Sequence, residues 1–115
     1  MPDKFGDLGR LLHILDAIES IESYVENVDF AQFSAETMRF DACIRQLSVL
    51  GEAANHLSDE LYTLFDKIPW PEIIALRNLV IHEYFGVDKR VIWKIIHQNI
   101  PPFKEQIVAI IQQMK

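Results

Sequence analysis

The chain has 115 residues, half of them hydrophobic, and this suits a single domain with one core, so we expect residues 1–115 to form one domain. The formal net charge of −6 argues against a protein that holds nucleic acid by bulk positive charge, although a local cationic site remains compatible with it. The apolar runs are far shorter than the ~20 residues that span a bilayer, and the N-terminus does not resemble a signal peptide. We therefore expect a cytoplasmic protein without membrane contact.

Cys43 is the one cysteine of the chain, so neither an intrachain disulfide nor a Cys-based metal site can form. Its apolar neighbours favour a buried core thiol over a nucleophile, because free cysteines are among the most buried residues.

The first predicted helix carries apolar residues at steps of three and four, which is typical of one buried helical face. Asp3 is a candidate for its N-cap. The apolar positions are Leu8, Leu11, Leu12, Leu15, Ile18, Ile21 and Val25.

A second long helix is predicted after Ser34, a candidate N-cap, with Glu36 in the first turn. Gly51 lies inside this helix, where a glycine costs about 1 kcal/mol relative to alanine, so we expect another helix to approach closely there. The apolar positions are Phe40, Cys43, Ile44, Leu47, Leu50 and Ala54.

Ser58 is predicted to cap a short helix through Leu64. Pro71 suits the first turn of a third major helix, because its missing N–H is not needed there. This helix should run from about Glu72 to about Phe85 and stop at Gly86.

Asp88 is predicted to cap the following helix, and Pro101-Pro102 to end it and start the last one. No run alternates cleanly between apolar and polar residues, so strands are not expected. The prediction is an all-α fold, a bundle of about five helices plus a short one.

Four polar groups lie close together on the third major helix: Arg77, Asn78, His82 and Tyr84. At about 100° per residue, Arg77 and Tyr84 project near each other, whereas Arg77 and His82 differ by about 140°. Either the helix frays near His82, or the same segment of a second subunit completes the site.

The chemistry of these groups is coherent for RNA cleavage. Histidine can exchange a proton near neutral pH, and arginine fits phosphate oxygens with a fork of donors. A base that activates the 2′-hydroxyl and a cation that stabilises the phosphorus transition state need no metal, and DNA lacks that hydroxyl.

Structural roles are the alternatives at these positions. A lone histidine beside a tyrosine is more often a hydrogen-bond partner than a catalyst, and Arg77 could pair with Glu72, Glu83 or another acid. Glu52 is expected to be solvated or to cap a helix. The other histidines, His13, His56 and His97, are scattered, and no zinc, P-loop or dinucleotide motif is present, so we expect neither a metal nor a cofactor.

The spacing of three of these residues resembles the Arg-x4-His-x-Tyr motif of HepT-like proteins of the HEPN superfamily. The matching residues are Arg77, His82 and Tyr84. The likeness covers essentially the whole chain in order. Further matching segments are Gly-Glu-Ala-Ala at 51–54, Ile-Pro-Trp at 68–70, Asn78, Tyr-Phe-Gly-Val-Asp at 84–88, Val91, Trp93 and Pro101.

The resemblance implies an all-helical homodimer whose two motif helices form a composite cleft for RNA, with Arg77 and His82 catalytic and Asn78 and Tyr84 supporting. It further implies a ribonuclease toxin whose antitoxin, a minimal nucleotidyltransferase, transfers AMP to the motif tyrosine, here Tyr84. The rival hypothesis is a non-catalytic dimeric helical partner, or substrate-binding subunit, of a nucleotidyltransferase.

Overall fold

The computed structural model describes residues 6–82 and 86–115, apart from the side chain of His82. Every regular element in these ranges is helical, which confirms the predicted all-α class. A 3-10 turn at Leu76–Asn78 separates α5 from α6, and a π-helical segment at Ile95–Asn99 separates α7 from α8. The helices are α1 (Asp7–Val25), α2 (Phe30–Ala35), α3 (Thr37–Ala54), α4 (Asp59–Leu64), α5 (Trp70–Ala75), α6 (Leu79–His82), α7 (Lys89–Lys94) and α8 (Ile100–Met114).

The core lies between α1, α3 and α8, and the shorter helices close it. The apolar stripes predicted for the first two long helices are its main components, although Leu12 of α1 is partly exposed. Cys43 is fully buried among them, as predicted, and burial raises the pKa of its thiol to about 11. A thiol protonated at neutral pH inside an apolar core is a packing group.

The start of α3 differs from the prediction. Ser34 lies inside the short helix α2, which Asp29 caps by accepting a hydrogen bond from the Gln32 amide. Glu36 takes the N-cap position of α3 without a side-chain cap bond. Phe33 of α2 is fully buried against Phe40, so tertiary packing creates a helix that is too short to be predicted from periodicity.

Asp7 joins the beginning of α1 to the beginning of α4. Its buried carboxylate accepts hydrogen bonds from the Ser58 amide at 2.9 Å and the Ser58 hydroxyl at 2.6 Å. The Ser58 oxygen in turn accepts from the Leu61 amide, which confirms the predicted cap of α4. Asp3, the predicted cap of α1, lies outside the described residues, and Gly6 occupies the N-cap position.

The third major helix begins near Pro71 as predicted, but it is not continuous. It changes to 3-10 geometry at Leu76–Asn78 and resumes as α6. A side chain explains the break, because the Ser48 hydroxyl of α3 donates to the Arg77 carbonyl at 2.8 Å. A donor inserted into the hydrogen-bond ladder distorts a helix at that point. The predicted end at Phe85 lies outside the described residues.

The C-terminal third is one nearly unbroken helical path. Asp88 caps α7 by accepting from the Arg90 amide, as predicted. Pro101 and Pro102 stand in the first turn of α8 but do not end the preceding helix, because the π-helical segment leads directly into α8. Within the described ranges, no helix is both long and apolar enough to cross a membrane.

Candidate active site

Arg77 lies on the 3-10 turn, where it is held against α3 at both its backbone and its side chain. Its carbonyl accepts from Ser48, and its Nη1 atom lies 3.8 Å from Oε2 of Glu52. The guanidinium nevertheless remains 41 % exposed, so a phosphate could reach it from solvent.

Gly51 permits this close contact. A Cβ atom at this position would lie 2.5 Å from the Arg77 nitrogen and 2.9 Å from the Ile73 carbonyl oxygen. The backbones of α3 and the 3-10 turn therefore touch where only hydrogen fits, which confirms the expected close approach at Gly51. The next residue along α3, Glu52, is brought beside the arginine by this contact.

Glu52 contacts both a histidine and an arginine. Its Oε1 atom lies 2.7 Å from Nε2 of His56, one turn further along α3, and its Oε2 atom faces Arg77 at the longer distance. The carboxylate is thus bonded tightly to the imidazole and only loosely to the guanidinium. This arrangement leaves donors of the Arg77 guanidinium available for a further hydrogen-bond acceptor.

The remaining motif positions are only partly described. Asn78 is exposed beside Arg77, and the backbone of His82 forms the last residue of α6, but its side chain is not described. Tyr84 lies outside the described residues, so the geometry of the Arg77, His82 and Tyr84 side chains stays a prediction. Ile81, just before His82, is 63 % exposed, so α6 presents an apolar side chain to solvent.

The contacts of Glu52 with Arg77 and His56 were not predicted from the sequence, which indicated only a solvated or capping Glu52 and an isolated His56. Arg77 does have an acidic partner, as one alternative proposed, but from α3 rather than from its own helix. Gly51 was the available signal: the predicted approach at a glycine also brings its neighbour Glu52 to the crossing segment.

Comparison with known proteins gives a consistent result. The model of the family described as "Ribonuclease HepT-like" matches residues 14–110. A Thermococcus cleftensis protein named "Probable ribonuclease HepT" is 38 % identical over 79 % of this chain and 83 % of its own. A protein of Caldanaerobacter subterraneus subsp. tengcongensis, named as a candidate RNase, is 37 % identical over 91 % of this chain and 94 % of its own. Another candidate RNase, from Methanocaldococcus jannaschii, is 32 % identical over 84 % of this chain and 89 % of its own. No solved structure gives a significant match.

Proposed function

Because the chain belongs to the ribonuclease HepT-like family, we propose that it is a metal-independent endoribonuclease and the toxin of a toxin–antitoxin pair. RNA is supported as the substrate because the chain matches relatives named as ribonucleases over most of their length. The residues proposed to carry the reaction are Arg77 and His82, with Asn78 and Tyr84 in support.

The position of Arg77 is the observation that carries the proposal. An arginine used only for structure would be expected to bury its donors in tight bonds, whereas this one is exposed and held loosely by Glu52. Its backbone is fixed by Ser48 and by the contact at Gly51. A rigid backbone with an accessible guanidinium is suited to hold a phosphate for reaction.

The proposed reaction is transesterification followed by hydrolysis. His82 removes the proton from a ribose 2′-hydroxyl, whose oxygen attacks the adjacent phosphorus while the bond to the 5′-oxygen breaks. The leaving oxygen takes a proton, from His82 of either subunit, and the first product carries a 2′,3′-cyclic phosphate. Arg77 stabilises the negative charge on the phosphoryl oxygens in the transition state.

Cleavage of RNA in the presence of EDTA tests this chemistry. Wild-type protein should cut, and His82→Ala and Arg77→Ala should each reduce the rate by about 10²–10⁴-fold, the usual contribution of a general acid–base group. Unchanged circular dichroism would show that the variants are folded. Loss of wild-type activity on chelation and its recovery with added metal would contradict the metal-free mechanism.

We further propose that a minimal nucleotidyltransferase is the antitoxin and that it modifies Tyr84. The tyrosine oxygen would attack the α-phosphorus of ATP, leaving AMP on Tyr84 and releasing pyrophosphate. The added phosphodiester is negatively charged and would compete with RNA for Arg77.

Mass spectrometry after co-expression with a nucleotidyltransferase encoded beside this protein tests the modification. Tyr84 should gain the mass of one AMP group, and the modified protein should not cut RNA. Tyr84→Phe should retain some nuclease activity, because the aromatic ring is preserved, and should escape this inhibition. Equal inhibition of Tyr84→Phe and wild type would instead indicate that the partner acts by covering the site.

A further inference from the structure

The longest stretch of the chain without an acidic residue runs from Lys89 to Lys104, between Asp88 and Glu105. It contains three lysines, one arginine and one histidine in a chain whose net charge is −6. Positive charge is therefore concentrated on α7, the π-helical segment and the start of α8.

Three of these residues, Arg90, Lys94 and His97, form what we call the cationic stripe. They are spaced by four and three residues, so they share one face of the helix. All three are exposed, and the Arg90 side chain is 81 % exposed. The opposite face carries the buried residues Ile92 and Ile96, which fixes the direction of the stripe toward solvent.

The two outer lysines of the acid-free stretch are used differently. Lys89 donates to the Ser34 carbonyl at 2.7 Å and lies over the Phe40 ring, while Lys104 pairs with Glu22. Arg90 has a longer contact, 3.7 Å, with the capping residue Asp88. Among the described residues, no acidic side chain pairs with Lys94. Within the described ranges, Lys94 thus has no acidic partner and Arg90 has only the long contact with Asp88.

His97 is held in a defined orientation. Its ring lies 4.0 Å from the Trp93 ring, and its Nδ1 atom is 2.9 Å from the Trp93 carbonyl oxygen. Since a carbonyl can only accept, Nδ1 carries the proton of this bond. Nε2 is then the ring nitrogen that is left to meet a ligand.

A groove with a cavity volume of about 310 Å³ lies between the 3-10 turn and the π-helical segment. Leu76, the residue before Arg77, lines one wall, and Ile95, Gln98 and Asn99 of the π-helical segment line another. The same groove thus separates the turn that carries Arg77 from the segment that carries the stripe.

We propose that the cationic stripe binds the sugar–phosphate backbone of the RNA substrate beyond the phosphate held at Arg77. The inference deepens the proposed ribonuclease function and rests on it. From Arg90 to His97 the helix rises about 10 Å, and successive phosphates in a stacked strand are about 3.4 Å apart along the axis, so the stripe can contact at least two of them. An acidic protein gains RNA affinity in this way without positive charge over its whole surface.

Binding measured against salt concentration tests the stripe. The probe is a fluorescein-labelled, unstructured 20-nucleotide RNA with 2′-O-methyl groups, which cannot be cut by attack of the 2′-oxygen. Arg90→Gln/Lys94→Gln is compared with wild type and with Lys67→Gln/Lys115→Gln, which removes the same charge from exposed positions elsewhere.

The stripe variant should bind more than about tenfold more weakly at 0.1 M salt, and the slope of log K against log salt should fall by about 1.4, or 0.7 for each lost phosphate contact. The control variant should stay close to wild type. Equal affinities and salt slopes for the two double variants would overturn the stripe. It would also be overturned if poly-glutamate bound more tightly than RNA and this binding required Arg90 and Lys94. If wild-type protein binds this probe with the expected slope but does not cut unmodified RNA, the ribonuclease proposal fails while the stripe stands.

Discussion

At the scale of single residues, the candidate site is defined by how loosely Glu52 holds Arg77. The carboxylate is 54 % exposed and bonds more closely to His56 than to the arginine. Exposed ion pairs contribute about 0.2–1 kcal/mol, so this one can orient the guanidinium without preventing phosphate binding.

Glu52→Gln should therefore lower kcat/KM for RNA cleavage by only about 1.4- to 5-fold, the rate equivalent of 0.2–1 kcal/mol. The neutral amide keeps the size of the side chain but loses its charge. Initial rates with a fluorogenic RNA measure the effect, and His56→Gln is the matched control for the other half of the contact. A loss as large as that of Arg77→Ala would show that Glu52 itself takes part in the chemistry.

Cys43 gives the protein a specific sensitivity to alkaline pH. Burial raises the pKa of its thiol from an ordinary 9.0 to about 11, so the folded state keeps a proton that the unfolded state loses. Its effect on the free energy of unfolding is negligible below pH 9, and stability should decline as pH rises from 9 to 11, by up to about 2–3 kcal/mol. Urea unfolding at pH 8, 9 and 10 should show a steeper decline for wild type than for Cys43→Ala. If stability fell equally with pH in both proteins, the thiol would ionise as freely in the folded state as in the unfolded state.

At the scale of elements, the contact between α3 and the 3-10 turn positions the site. One surface of α3 makes this contact through three residues. Ser48 provides a hydroxyl donor, Gly51 leaves room for the close approach, and Glu52 provides a carboxylate. The 3-10 turn that carries Arg77 therefore packs directly against this surface of α3.

Gly51→Ala should destabilise the protein by about 1–3 kcal/mol, although alanine is the better helix former, because the new methyl group would press on the Arg77 backbone. Cleavage should fall as well, since Arg77 would shift. Gly9→Ala in α1 is the matched control: no neighbouring atom lies within 4 Å, and it should stabilise by about 0.5–1 kcal/mol. Urea denaturation of both variants measures the difference, and equal stabilisation would mean that the two elements separate at little cost.

The long amphipathic helices and their core faces could be predicted from the sequence because their periodicity extends over four or five turns. The caps at Ser58 and Asp88 were also confirmed, since capping depends on local chemistry. Helix α2 and the 3-10 turn could not be predicted: Phe33 packing creates the first, and a hydroxyl from Ser48 creates the second. The pairing of Arg77 with Glu52 likewise depends on contact between segments 25 residues apart in the sequence.

At the scale of the whole molecule, the proposed homodimer can be tested by mixing two inactive variants. If the cleft is composite, a heterodimer of Arg77→Ala and His82→Ala retains one arginine and one histidine. Co-refolded mixtures should regain a fraction of wild-type cleavage, while each variant alone stays inactive. Light scattering should give the mass of a dimer, because two-fold pairing is the usual symmetric assembly. A monomeric mass at micromolar concentration, or no recovery on mixing, would contradict the composite cleft.

The burial of Cys43 also has a practical consequence for spectroscopy. Since this single native thiol is inaccessible in the folded protein, a cysteine introduced at an exposed position would be the one site that reacts with a maleimide label. Met38, which is 87 % exposed, offers such a position on the outer surface of α3. One spin label per subunit, attached without removing any native residue from the core, would then report the distance between two copies of the chain in solution.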